Sequence, residues 1–572
     1  MKANHKDKSL AKKVLLSVVA AGVMSGFVLT AEAADIFHED GQKHTYTAVD
    51  AGKVTAYKGS EIELSGGTIT SIKEAHVDPE DDRVGYADVS AESGGAGSKI
   101  VANNADFKGE VHASTGGTII LNGGSVTSGT FYDKDGNSIE DYPTEIGSRG
   151  EGAYVELNKV KIDSNLGAFE GAVLTVNDSN VNADKAIYAE GGTINLISTD
   201  GNAKYNVGFV GVKAVEGGVI NIKGGGTLHT TNISVEDDNS SFVTDGSVEA
   251  KKIEAISNAS VILTGGGKIT GAELSTGTKV AALVMDNSTL TATNVDFTGD
   301  FKAEGGSKIT LKGGSVTASD YYDKDGKKDG YTEFGAIGAN SSIEADGVDI
   351  KSATLATDGA KVNIKNSSID TVEGIWAWGK GSEIVLDGTA ANVYTVGESI
   401  VANDGGKIYI NGGTLKDNNL WSKMFGIEAD GETINTDAKG IVLDKNGVIS
   451  TMSDQIYANV ASATQKESGA ITNAGIDFRG GSLILNDAKF TQSYANSAQA
   501  KLAEQGGTTK LTMNGELVKE GTGEVVTEMS VDKAANDYGS DTELDKVTAK
   551  ADNNLLVGSN DASLAGKDVA GI

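Results

Sequence analysis

Gly306-Ser307-Lys308-Ile309-Thr310-Leu311-Lys312-Gly313-Gly314-Ser315-Val316-Thr317 is the stretch that decides how this chain folds. Ile309 and Leu311 alternate with Lys308, Thr310 and Lys312, the period of two that marks a strand with one buried face. The run is short, with two apolar positions, and Gly-Gly then supplies a corner in which positive φ carries little steric cost. A second short strand follows in Ser315-Val316-Thr317. The same unit recurs in Ser60-Glu61-Ile62-Glu63-Leu64-Ser65-Gly66-Gly67, in Gly117-Thr118-Ile119-Ile120-Leu121-Asn122-Gly123-Gly124 and in Gly218-Val219-Ile220-Asn221-Ile222-Lys223-Gly224. It returns in Ala360-Lys361-Val362-Asn363-Ile364 and Gly381-Ser382-Glu383-Ile384-Val385-Leu386-Asp387-Gly388.

The spacing of these units identifies the architecture. From the first inward residue of one unit to the next, Val155 to Leu174 is 19, Leu174 to Ile194 is 20, and Leu290 to Ile309 is 19. Ile309 to Ile343 is 34, and Ile343 to Val362 is again 19. A floor near 19 with occasional longer gaps is one coil of a solenoid that tolerates insertions. The expectation is an all-β parallel solenoid of some twenty coils, roughly 100 Å long at the usual strand separation. Ile, Val and Leu such as Ile194, Ile364 and Ile408 would stack inward on their equivalents above and below. Both prolines, Pro79 and Pro143, fall in long gaps, where no ladder hydrogen bond is needed.

A longer duplication overlies the short one. Asn104-Ala105-Asp106-Phe107-Lys108-Gly109 matches Asn294-Val295-Asp296-Phe297-Thr298-Gly299, and Tyr132-Asp133-Lys134-Asp135-Gly136 matches Tyr322-Asp323-Lys324-Asp325-Gly326, both at an offset of 190. Copying several coils lengthens a rod easily, because each coil touches only its neighbours.

Composition narrows the function classes. The 572 residues include 76 glycines and no cysteine, which removes disulfides, thiol nucleophiles and Cys-ligated metals. A formal charge of −31 argues against nucleic acid, whose phosphates need clustered Lys and Arg. At the start, Lys2, Lys6, Lys8, Lys12 and Lys13 precede an apolar run from Val14 to Leu29 and then Ala31-Glu32-Ala33. That order reads as a secretory signal over residues 1–33, so export through the inner membrane to the extracellular or outer-membrane surface is expected. The rod is expected over 34–515, with insertions near 74–97, 128–150, 318–340 and 415–470. A short helix is expected over 491–505, and an acidic, weakly ordered tail over 516–572.

Few side chains suggest chemistry. The duplicated pairs Asp133/Asp135 and Asp323/Asp325 offer oxygen ligands for calcium, but Gly stands fourth in each rather than sixth, and Asp-Gly is a strong hairpin signal. Asp444-Lys445-Asn446-Gly447 has the same form. Asn435-Thr436-Asp437 resembles one active-site motif of polygalacturonases, yet the Gly-His-Gly and Arg-Ile-Lys that the family also needs are missing. His5, His38, His44, His76, His112 and His229 read as isolated, without the i, i+4 spacing of a zinc helix. No catalytic residue, cofactor or resident metal is assigned on this basis. Trp376 and Trp378, in Ile375-Trp376-Ala377-Trp378, lie two apart and so share a strand face. They form either an exposed platform for a sugar or apolar partner, or a pair packed beneath a neighbouring loop.

The signal peptide, the absence of cysteine and coils such as Gly406-Lys407-Ile408-Tyr409-Ile410-Asn411-Gly412-Gly413-Thr414-Leu415 together resemble autotransporter passenger domains. The resemblance covers about residues 40–515 and implies a pertactin-like right-handed parallel β-helix. The family adds a C-terminal outer-membrane barrel. This chain departs from that pattern, ending Asp568-Val569-Ala570-Gly571-Ile572 with no series of amphipathic strands before it. The function implied is a non-enzymatic structural or adhesive rod that displays contact loops to a protein or glycan on a host or neighbouring cell. A polysaccharide lyase or hydrolase on the same scaffold is the alternative, and self-association through uncapped coil ends is a third expectation.

Overall fold

The computed structural model describes residues 34–77, 84–133, 135–322, 325–371, 373–393, 398–403 and 405–418, together with the strands Gly475–Asp477, Ser482–Asn486, Lys489–Ser493, Lys519–Met529 and Val547–Asn554. The signal segment 1–33, Asp323, Asp437, the Asp444 turn and most of the 415–470 and 516–572 segments lie outside these residues. So does most of the helix expected over 491–505, and its first residues belong instead to the strand Lys489–Ser493.

Each turn of the chain contributes three short strands. One joins a first sheet and two join a second, and pairing between successive turns is parallel throughout the rod. Among the described residues the structure is all-β, a parallel solenoid of about 17 turns. At the usual strand separation the axis is about 80 Å long. This is fewer turns than the twenty expected, because long gaps such as that between Ile309 and Ile343 hold residues in excursions off the axis. The two residues are direct neighbours on adjacent turns.

The inward positions form continuous files. Ile194, Ile220 and Phe242 stack in one, and Ile309, Ile343, Val362, Ile384 and Ile408 continue it, all essentially inaccessible to water. On the first sheet a narrower file runs Ala303, Ala336, Ala356, Ala377 and Ala402. Small residues on this file leave room for Phe301 and Phe334 in the file beside it, whose rings stack with centroids 5.6 Å apart. Burying each aliphatic side chain is worth about 1.5–3 kcal/mol, and adjacent turns supply much of that cover.

Corners satisfy their own backbone groups. The buried hydroxyls of Ser98, Ser307 and Ser341 accept hydrogen bonds from the N–H groups of Gly59, Ser288 and Gly306 one turn earlier, at 2.9–3.1 Å. At another corner the amides of Asn122, Asn158 and Asn177 each donate to the side-chain oxygen of the preceding Asn, at 3.0, 2.9 and 2.8 Å.

Among the described residues, four antiparallel excursions leave the rod at one corner, between the second strand of the second sheet and the following strand of the first. Ile72–Val77 pairs with Val84–Gly94, and Thr130–Tyr132 with Ser138–Pro143. Ala272–Glu273 pairs with the start of Lys279–Val284, and Asp320–Tyr322 with Lys328–Tyr331.

Candidate functional site

The excursions combine into two arms. In the first, Phe131 and Tyr132 pair with Ala87 and Tyr86, and Lys73 lies over the Tyr132 ring at 3.6 Å. Asp88 accepts from the Thr130 N–H at 3.0 Å, and Ala87, Val89 and Phe131 make a small apolar core of their own. In the second, Thr278 stands 190 residues after Asp88 and plays a similar part: its hydroxyl donates to the Tyr322 carbonyl at 3.1 Å and accepts from the Tyr322 N–H at 2.9 Å. Eight turns separate the arms, about 38 Å along one edge of the rod.

A charged cluster fastens the first arm. Lys53 is only 4% exposed and donates to Glu74 on the arm and, at 2.6 Å, to Glu92 on the first sheet. The Tyr57 hydroxyl also donates to Glu92. Burial by itself would raise the Glu92 carboxyl, but the bonds from Lys53 and Tyr57 outweigh it and hold the group below its usual range. Glu110, on the adjacent turn, is 8% exposed. Burial, reinforced by the negative charge of Glu92, pushes it up to about 7. Burial and the bond to Glu92 raise the Tyr57 hydroxyl. His112 stands beside Glu92 in the ladder, 3.7 Å from Glu110. The cluster therefore shifts two neighbouring carboxyls in opposite directions, a divergence of the kind that acid–base chemistry on a sugar uses. Lys53 and Glu110 are nevertheless buried.

Trp376 and Trp378 lie on the outer face, with Ile375 and Ala377 fully buried beneath them. The indoles are nearly parallel, 11° apart with centroids at 5.7 Å, and Trp378 is 40% exposed. Leu355 and Val401 flank Trp376 on the neighbouring turns, and Thr357 and Asn403 flank Trp378. The stacked pair presents an aromatic surface, chiefly at Trp378, suited to a sugar, an apolar side chain or a cation.

Asp133 forms a turn. One of its side-chain oxygens accepts from the N–H groups of Asp135 and Asn137 at 2.9 and 2.8 Å, and the other from the Asn137 amide at 2.9 Å. These bonds hold its carboxyl below the usual range. Asp135 and Asp325 are exposed at the tips of the two arms.

A second grouping has no counterpart in the sequence spacing. His38, Asp40 and His44 bring their ligand atoms within 4.8 Å of one another at the N-terminal end of the rod. Burial lowers the His38 imidazole, helped by the neighbouring His44, and hydrogen bonding to His44 lowers Asp40 to about 2. The signal for this grouping was the replacement of aliphatic residues by His-x-Tyr in the first strand pair, which becomes visible only when the turns are aligned. No protein-family model matches this chain, and comparison with curated proteins finds no match.

Proposed function

We propose that the chain is an exported, surface-displayed rod of the autotransporter-passenger type, whose arms and tryptophan pair contact a protein or glycan on a host or neighbouring cell. The observation that carries this reading is the duplicated arm. Two excursions built from matching sequence leave the same corner of the coil, eight turns apart. Paired contacts on a stiff spacer gain from effective concentration without extra contact area at either site. Attachment of the purified chain to epithelial and bacterial cells and to an immobilised glycan panel tests the reading. Replacing 131–142 or 321–330 by a short Asn-Gly turn should reduce attachment, and replacing both should abolish it. Attachment that survives the double replacement together with Trp378→Ala would overturn it.

The polysaccharide lyase or hydrolase is a second reading, favoured by the opposite shifts of the Glu92 and Glu110 carboxyls. Turnover of pectate, alginate or host glycans, with and without calcium, that disappears in Glu110→Gln would establish it in place of the first.

A further inference from the structure

The first described turn breaks the rule that governs those after it. The inward file of Ile62, Ile100 and Ile119 begins, in register, at His44. The file of Leu64 begins at Tyr46, and that of Ala56 begins at His38. His44 and Tyr46 thus occupy positions that aliphatic side chains fill in the next turns, and His38 one that small residues, Ala56, Ser93 and Ala113, fill. The three rings converge across the end of the coil. His38 and His44 stack with centroids 3.5 Å apart and planes 8° apart, and the Tyr46 hydroxyl lies 2.7 Å from His38 Nε2. The corner between the strands Ile36–His38 and Lys43–Thr47 brings Asp40 back to the same place, with both carboxylate oxygens 3.0 Å from His44 Nε2. Asp40 Oδ1 also accepts from the Gln42 N–H at 3.0 Å and the Ser60 hydroxyl at 3.2 Å, which fix the carboxylate from behind.

We propose that His38, Asp40 and His44 bind a divalent transition-metal ion of the zinc class, and that the ion closes the N-terminal end of the solenoid. Two imidazole nitrogens and one carboxylate oxygen are a zinc-type donor set, whereas calcium and magnesium take oxygen alone. Bonds of about 2.0–2.1 Å to a tetrahedral ion place ligand atoms about 3.3 Å apart. The three groups already lie within 4.8 Å, so side-chain rotation completes the shell with water in the fourth position. Asp40 keeps its Ser60 and Gln42 bonds through Oδ1 while Oδ2 turns to the ion, the outer-shell support that such ligands need. The ion would join a strand of the first sheet to one of the second where no earlier strand is paired to them among the described residues.

The test is zinc titration of the chelator-stripped full chain at pH 7.5, read by calorimetry and by competition with a chromophoric chelator. One site of micromolar or tighter affinity is expected. His38→Ala and His44→Ala should each weaken it by at least the roughly 10–100-fold that loss of an outer-shell partner costs. Tyr46→Phe should bind normally, and excess calcium should not compete. Zinc should also slow amide exchange in 36–47 and leave 300–317 unchanged. Should a histidine variant fail to fold, imidazole NMR signals of the unaltered chain decide, because zinc must shift those of His38 and His44 alone. Binding no tighter than millimolar, or equal binding by the His38→Ala/His44→Ala double variant, would overturn the proposal and leave a purely polar cap.

Discussion

Asn104 and Asn294 stand 190 residues apart and hold the same left-handed corner, with φ of 53° and 54°. The turn around each is copied as well. The Ser125 hydroxyl donates to Asp106 at 2.6 Å, and the Ser315 hydroxyl to Asp296 at 2.7 Å. A duplicated segment keeps its geometry here because each turn is built against its neighbours alone.

The same corners give a stringent test of packing. Gly124 and Gly314 have φ of 77°, and a Cβ at either would come within 2.0 or 2.2 Å of a backbone oxygen on the preceding turn. Gly124→Ala and Gly314→Ala should each cost about 2 kcal/mol or more, from the strained backbone and the displaced turn. Urea denaturation followed by circular dichroism measures both, and the two values should agree.

Facing is tested by adjacent residues. Ile309 is fully buried, while Thr310 points outward. Ile309→Asp should destabilise by several kcal/mol, because an unpaired carboxylate enters an apolar file. Thr310→Asp should change stability by about 0.5 kcal/mol or less. Equal effects in urea denaturation would mean that the files are wrongly assigned.

Glu110 sets a pH dependence. Its carboxyl rises from 4.5 to about 7 in the folded chain. Between those values the folded state holds a proton that the unfolded state has lost, so stability falls as pH rises. Glu92 acts in the opposite sense, its contribution being lost as pH falls below the ordinary carboxylate range. Glu110→Gln isolates the first effect. It should match the unaltered chain near pH 4 and exceed it at pH 8 by on the order of 2 kcal/mol. Denaturation midpoints across pH 4–8 measure this.

The exposed indole separates binding from folding. Trp378→Ala should leave the urea midpoint almost unchanged, within about 0.5 kcal/mol, while lowering attachment to the ligand-bearing surface. An unchanged attachment curve would remove the tryptophan pair from the contact surface.

What the sequence reveals is what is local. Ile309 and Leu311 alternate because each strand turns only two residues inward, and Gly313-Gly314 marks the corner because Gly takes positive φ at little cost, where Asn294 stands one turn earlier. The outward facing of Trp376 and Trp378 follows from the same alternation, but their exposure depends on Leu355 and Val401 on other turns. The Lys53–Glu92 contact joins residues 39 apart, across an excursion whose length hides the register. His38 and His44 meet because their strands lie in different sheets and turn inward at one end of the coil. No spacing rule for helices or hairpins predicts that meeting.

The central claim is that position along the axis counts turns and not residues. Thr175, Thr291, Thr310 and Glu344 lie in one outward file, with Thr291 and Thr310 on adjacent turns and Glu344 on the next. The chain has no cysteine, so paired cysteine substitutions accept spin labels cleanly. Electron–electron dipolar distances from position 175 should lengthen by about 4.8 Å from 291 to 310 and by the same amount from 310 to 344, although 19 residues separate the first pair and 34 the second. Increments that follow the number of intervening residues, or distances that do not lengthen along the series, would contradict the solenoid.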